Sequence, residues 1–247
     1  MKTYVVKIGG QAVEDLNDSF FNQLKLWQSA GIKVIIVHGG GPQIGKVSQK
    51  LGILAPKIDG IRVTSEQEIA VVQAVLLGVV QPQLIDKLKQ HQIFANSLNL
   101  NSNVDLNGTE IDTSQYGLVG KLVSCNLDPV HSDLGIGVLA PLVKNQFGQL
   151  LNVNADSFAA GLAKQIQADK LLFLTDVPGV LHEHQLIEKL SELKAKKLFQ
   201  DGEITSGMIP KINAAVTALK SGVNSVAITG SLTAPGTEIS LANEEVI

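Results

Sequence analysis

Short apolar runs recur along this chain, each closed by glycine or a polar residue and followed by a stretch of helical periodicity. Residues 4–8, 33–37, 93–98, 136–143, 171–175 and 224–229 read as buried strands. Between them lie helical patterns: 17–29 with Phe20, Leu24 and Trp27 on one face, then a helix opened by Pro42 with Ile44, Val47 and Leu51 aligned. A capping box at Ser65 and Glu68 starts a long helix through about residue 80, and Leu84, Ile85 and Leu88 continue the pattern. Further helices are expected at 156–167, 189–199 and 208–221. Strand–helix alternation of this kind specifies an α/β fold, a mostly parallel sheet with helices on both faces. The middle of the chain differs: residues 104–123 read as extended pieces around an Asn107-Gly108 hairpin turn.

The chain is long enough, at 247 residues, for one large α/β domain. Its net charge of −3 and lack of a Lys/Arg run leave no electrostatic footprint for nucleic acid or a membrane surface. One cysteine, Cys125, permits neither an internal disulfide nor a thiolate metal cluster. The sequence runs straight into its first strand, with no uninterrupted apolar run of about 18 residues, so a cytoplasmic location is expected.

Glycines gather at two strand ends: Lys7-Ile8-Gly9-Gly10 and His38-Gly39-Gly40-Gly41-Pro42. In an open α/β sheet that edge binds ligands, and glycine lets successive backbone N–H groups converge on an anion. A P-loop reading of Gly40 to Lys46 fails on its last residue. Val47 stands where magnesium needs a hydroxyl, and Pro42 starts the helix too early. Asn152, Asn154 and Asp156 alternate with period 2 and share one side of an extended segment. Lys7, Lys211 and Asp156 together supply two cations and a carboxylate to organise them, the set that phosphoryl transfer requires. The histidines (38, 91, 131, 182, 184) form no nucleophile–base pair. A carboxylate acceptor, ionised at neutral pH, needs no base and so fits slightly better than a hydroxyl.

These segments, with Gly60-Ile61-Arg62-Val63-Thr64, Thr175-Asp176-Val177-Pro178-Gly179-Val180 and Gly207–Lys211, stand in an order that resembles the N-acetyl-L-glutamate kinases of the amino-acid-kinase superfamily, over about residues 5 to 240. The resemblance implies a single domain, 1–247, shaped as a three-layer αβα sandwich on a sheet of about eight strands. An N-lobe (about 1–150) would bind the acceptor and a C-lobe (about 151–247) ATP. It implies ATP-dependent phosphorylation of the side-chain carboxylate of N-acetyl-L-glutamate, a step of arginine biosynthesis. Kinases of N-acetyl-aminoadipate or a carrier-linked amino acid, or a P-loop-like NTPase, are the alternatives.

By the same resemblance, Lys7 and Lys211 stabilise the moving phosphoryl group and Asp156 orients both. Gly9, Gly10, Gly40 and Gly41 offer N–H groups, Arg62 grips a carboxylate, and Asn152 and Asn154 hold the acceptor. Thr175, Asp176, Val177, Gly179, Val180, Glu203, Ile204 and Thr205 form the nucleotide part, and Lys57 assists near the acceptor. Magnesium arrives on ATP phosphates, with no protein metal cage. Residues 104–123 would form a flap over the acceptor, where Lys121 replaces a more usual acidic residue. The chain would be a homodimer of the short, arginine-insensitive form, because Lys7 already lies in the first strand. The helix face of Ile69, Val72, Val75, Leu76 and Val79 serves equally as dimer contact or as core.

Overall fold

A computed structural model describes residues 1–58, 60–127, 135–204 and 207–241. In chain order, β1 (Thr3–Ile8), α1 (Asp18–Ser29), β2 (Lys33–His38) and α2 (Gly41–Lys50) come first. A small hairpin, β3 (Lys57–Ile58) and β4 (Ile61–Arg62), leads to α3 (Glu66–Val75) and α4 (Gln81–Gln90), joined by a π-helical turn at Leu76–Val80. The middle holds β5 (Ala95–Ser97), β6 (Asp105–Glu110), α5 (Thr113–Tyr116), β7 (Gly120–Asn126), β8 (Ile136–Leu139), β9 (Leu142–Lys144), β10 (Leu150–Asn152) and α6 (Ala155–Gln165). The last part comprises β11 (Lys170–Leu174), β12 (Leu181–His182), β13 (Gln185–Leu186), β14 (Lys189–Ser191), α7 (Glu192–Gln200), α8 (Ile209–Lys220), β15 (Ser225–Thr229) and β16 (Thr237–Ser240).

Eight strands form the central sheet in the order β14-β16-β15-β11-β1-β2-β8-β5, parallel except where β15 meets β16. The three-layer α/β sandwich expected from the alternation is therefore present. Its strands are apolar on both faces, as burial on both sides demands. Val5, Val37, Phe173 and Ile228 point to the core shared with α6 and α8. Their neighbours Val6, Ile36 and Leu172 point to the core shared with α1, α3 and α4. β1 lies mid-sheet, with β2 on one side and β11 on the other, so the strand order runs outward in two directions from its end. A crevice opens at such a reversal.

Residues 66–90 form one continuous helix with a mean hydropathy of 1.6 across its apolar window, long and apolar enough to cross a membrane. It packs instead against the sheet, burying Val72, Val75, Leu76, Val80, Leu84 and Leu88. That face is core, which decides the question left open for Val72, Val75 and Leu76; Val79 is the exposed large hydrophobic side chain of this helix.

Several sequence expectations change. Asn107-Gly108 is not a hairpin turn. It sits inside β6 at a bulge, and a Cβ on Gly108 would collide with Val143 and the Lys121 carbonyl, so close packing demands this glycine. The connection lies at 111–119, around α5. Residues 104–123 do form an antiparallel pair, β6 with β7, and that pair belongs to a four-stranded sheet, β10-β9-β6-β7. The run 136–143 divides at Ala140-Pro141 into β8 and β9, which belong to different sheets. Residues 189–191 are strand β14, and the helix starts only after Ser191, which caps it by accepting from the Lys194 N–H. Strand β16, between β14 and β15, carries no strong apolar alternation and is absent from the sequence expectations.

The β6–β7 connection is pinned to the sheet below by Gly117. Its φ is +70, and a Cβ there would strike the Thr64 carbonyl, which accepts from the Leu118 N–H at 2.7 Å. Gly148 shares the left-handed conformation (φ +77) but faces open space. Gly148→Ala is expected to cost about 1 kcal/mol of backbone strain and Gly117→Ala at least about 2 kcal/mol more. Thermal melts of the two variants should then differ by roughly 4–8 °C. Equal melting temperatures would remove the Thr64 contact as a constraint.

Candidate active site

The candidate site residues of the central sheet lie at or just beyond a strand's C-terminal end. β1 delivers Lys7, Gly9 and Gly10, and β2 delivers Gly39, Gly40 and Gly41. The two glycine turns touch: a Cβ on Gly10 would lie 2.7 Å from the Gly40 Cα, and one on Gly40 would lie 2.6 Å from Leu76 Cδ2 in the π-turn. At Gly10 a side chain would strike backbone, so there the approach of the two main chains sets the cleft width; at Gly40 it would displace the Leu76 side chain. Gln43 ties the pair together, donating from Nε2 to the Gly10 carbonyl at 3.0 Å.

Lys7, Asp156 and Lys211 meet at this junction. Lys7 Nζ lies 2.7 Å from Asp156 Oδ1, and Lys211 Nζ lies 3.4 Å from Oδ2. Lys7 is buried, as is Asp156 in the first turn of α6. Pro210 opens α8 and places Lys211 in its first turn. Burial pulls the Lys7 ammonium below its usual pKa, with Asp156 pushing back and Lys211 adding to the depression. Two positive charges against one negative leave an excess suited to an anion in a low-dielectric pocket.

Two cavities share this wall. One, of about 430 Å³, is lined by Gly9, Gly10, Gln11, Thr175, Asp176, Gly230 and Ser231 together with Lys7 and Lys211. The other, of about 340 Å³, is lined by Gly39, Gly40, Gly41, Lys57, Arg62, Leu76 and the stretch from Asn152 to Asp156, again with Lys7 and Lys211. Arg62 Nη1 donates to Glu68 Oε1 and Nη2 to the Gly41 carbonyl, both at 2.9 Å. Asn152 Nδ2 donates to Thr64 Oγ1 at 3.0 Å. Asn154 caps α6, its Oδ1 accepting from the Asp156 and Ser157 N–H groups.

The remaining candidates are arranged differently. Val177, Gly179 and Val180 line neither cavity; the Val180 N–H donates to Thr237 Oγ1, and Gly179 packs against Thr237 and Leu186. Glu203 pairs with His182 of β12, and Ile204 lines a third hollow between α7 and α8. Thr205 lies outside the described residues. No residue of 104–123 lines the second cavity, and Lys121 is exposed. Lys46 sits exposed inside α2, which confirms that the P-loop pattern is a coincidence.

Sequence reading missed Gly230-Ser231, which follow β15 just as Gly9-Gly10 follow β1, so the same glycine signal was there to use. It also missed Glu68 and Ser48, which carry no local mark of a site, and gave Thr64 no role although it ends the Gly60–Thr64 motif. His38, at the end of β2, is fully buried with Nδ1 3.0 Å from the Gly39 carbonyl, an arrangement that puts the proton on Nδ1. Burial lowers its pKa from 6.5 to about 4 despite that bond.

Residues 2–230 match the family model described as the amino acid kinase family. The chain belongs to that family. It is similar to the acetylglutamate kinase of Lactiplantibacillus plantarum, 42% identical over 240 residues that cover 96% of this chain and 97% of that one. The acetylglutamate kinase of Leuconostoc citreum is likewise 42% identical over 243 residues, 97% of this chain and 99% of that one. A Streptococcus mutans crystal structure superposes with a TM-score of 0.90 at 35% identity, covering 96% and 98% of the two chains.

His38 carries a pH consequence. Its proton is bound more weakly in the folded chain than in the unfolded one, so stability is full above pH 6.5 and falls as pH drops toward 4. The full loss is worth about 3 kcal/mol. His38→Asn, whose amide mimics Nδ1 but does not titrate, is expected to flatten the fall in urea midpoint between pH 7 and pH 5. An unchanged slope would assign the acid sensitivity to other groups.

Proposed function

We propose that the chain catalyses ATP-dependent phosphorylation of the side-chain carboxylate of N-acetyl-L-glutamate, as a soluble cytoplasmic enzyme of arginine biosynthesis. One observation carries the reading: two cavities share a wall that contains Lys7, Gly9, Gly10 and Lys211, and Asp156, which lines the second cavity, pairs with both lysines. ATP occupies the cavity bordered by Thr175, Asp176 and Gly230, with its terminal phosphate toward the lysines. The acceptor occupies the other, with its α-carboxylate on Arg62 and its acetamido end near Asn152. The acceptor's side-chain carboxylate then points at the same wall.

An acceptor oxygen attacks the terminal phosphorus, the bond to the bridging oxygen breaks, and its electron pair leaves with ADP. The acceptor is already ionised, so no side chain must take a proton. What opposes reaction is repulsion between two anions. Lys7, Lys211 and the glycine N–H groups offset it, most strongly where charge spreads over the equatorial oxygens. Asp156 holds both ammonium groups at a fixed separation. This pairing also occupies its carboxylate, and among the described residues no three His, Cys, Asp or Glu converge on a metal position. Magnesium would arrive on the nucleotide's own phosphate oxygens and would neutralise charge on the leaving group.

Residues 1–150 supply most of the acceptor cavity, and Asn152 to Asp156 of the second half complete it. A homodimer belongs to the same reading: β5 is an edge strand, and the preceding Phe94 is exposed, leaving apolar surface for a second copy.

Purified protein mixed with ATP, magnesium, N-acetyl-L-glutamate and hydroxylamine should form a coloured hydroxamate from the acyl phosphate. Signal with N-acetyl-L-aminoadipate and none with N-acetyl-L-glutamate would reassign the acceptor, and silence with both would sink the reading. Lys211→Ala should lower kcat by about 10²–10³-fold with little change in the KM for ATP, because its contact strengthens in the transition state. A raised KM with unchanged turnover would make Lys211 a binding residue only.

A further inference from the structure

A buried carboxylate stands directly behind the acceptor cavity. Glu68 is fully inaccessible to solvent in the first turn of α3. Its sequence position, three residues after the N-cap Ser65, would ordinarily send its side chain back to the cap as the second half of a capping box. Only the first half is used that way: the Glu68 N–H donates to Ser65 Oγ at 3.1 Å. The carboxylate turns inward instead. Oε1 accepts from Arg62 Nη1 at 2.9 Å, and Oε2 accepts from Ser48 Oγ at 2.8 Å.

Burying a carboxylate costs several kcal/mol unless it is paired and hydrogen-bonded, and for a surface helix cap no such burial is needed. Arg62, in turn, has little else to orient it. It ends a hairpin of two residue pairs, Lys57 with Arg62 and Ile58 with Ile61, and a ladder that short has marginal stability of its own. The guanidinium is held between Glu68 and the Gly41 carbonyl. Among the described residues those contacts engage two of its five N–H donors. Ser48 lies on α2, whose first residue is Gly41, so one carboxylate links α2, the hairpin and α3 around the fork.

We propose that Glu68 is the positioning residue that sets the Arg62 guanidinium in the acceptor cavity, and so fixes where a carboxylate-bearing acceptor docks. The inference rests on the acceptor assignment made above.

Steady-state kinetics of Glu68→Ala and Glu68→Gln, each in the parent chain and in Arg62→Ala, test it. Glu68→Ala is expected to raise the KM for N-acetyl-L-glutamate by about tenfold or more and to leave the KM for ATP within about twofold. Glu68→Gln keeps an oxygen for Arg62 and an amide for Ser48, and is expected to recover most of the loss. In the Arg62→Ala background, Glu68→Ala should add less than about twofold, because the two act through one contact. A rise in both KM values alike, or an undiminished effect in Arg62→Ala, would make Glu68 a structural residue and overturn the proposal.

Should Glu68→Ala not fold, Glu68→Asp keeps the charge but withdraws it by one methylene. It must then show the same selective rise, and an unchanged acceptor KM would overturn the proposal. If the parent chain phosphorylates no acceptor, the kinase reading fails. Calorimetric binding of N-acetyl-L-glutamate then decides separately: affinity that falls in Glu68→Asp supports the positioning role, and unchanged affinity or no binding overturns it.

Discussion

The arrangement of two ammonium groups on one buried carboxylate governs the rest of this molecule. Lys7 comes from the central strand, Asp156 from the start of α6, and Lys211 from the start of α8. Each charge is tolerable inside the protein only because the others are there. The sheet must therefore bring β1 beneath two helix N-termini that come from well separated parts of the chain. Both cavities then inherit their polarity from that one point. The apolar strands and helices around it supply rigidity, so the excess positive charge stays in place and does not relax toward solvent.

Around this centre the backbone does work that side chains cannot. The glycine turns after β1 and β2 pack so closely that a Cβ on Gly10 would strike the Gly40 backbone, while one on Gly40 would press on the Leu76 side chain. Leu76 closes the floor beneath them. The acceptor cavity is thus walled by main chain on one side and by Arg62 and Asn152 on the other, with Thr64 buried behind them. Thr64 serves both groups: its hydroxyl donates to the Arg62 carbonyl and accepts from Asn152. The proposed holders of the two ends of the acceptor are joined through that buried hydroxyl.

Much of this was legible in the sequence because it is locally encoded. Apolar runs that end in glycine marked β1 and β2, and the two-residue alternation from Asn152 to Asp156 marked the entry to α6. Features set by distant contacts were not legible. Gly108 looks like a turn glycine until Val143 is seen against it. The break at Ala140-Pro141 depends on two sheets competing for one run. β14 and β16 are short strands at the end of the sheet whose pairing, and not their composition, defines them. Glu68 is the sharpest case. Its local role as a capping-box residue already accounted for its identity, so nothing in the one-dimensional text pointed to Arg62.

The π-turn at Leu76–Val80 also matters for the phase of the helix that contains it. Residues 72, 76, 80, 84 and 88 are all buried, a spacing of four that an ideal 3.6-residue helix would let drift by about 40° at each step. The wider turn takes up part of that drift and keeps a 25-residue helix aimed at one sheet from end to end. It acts as a vernier between two helical segments. Leu76 belongs to the cavity and Leu88 to the far core, so the length of this helix is set by both at once, and a single-residue insertion or deletion within it would put one of them out of register.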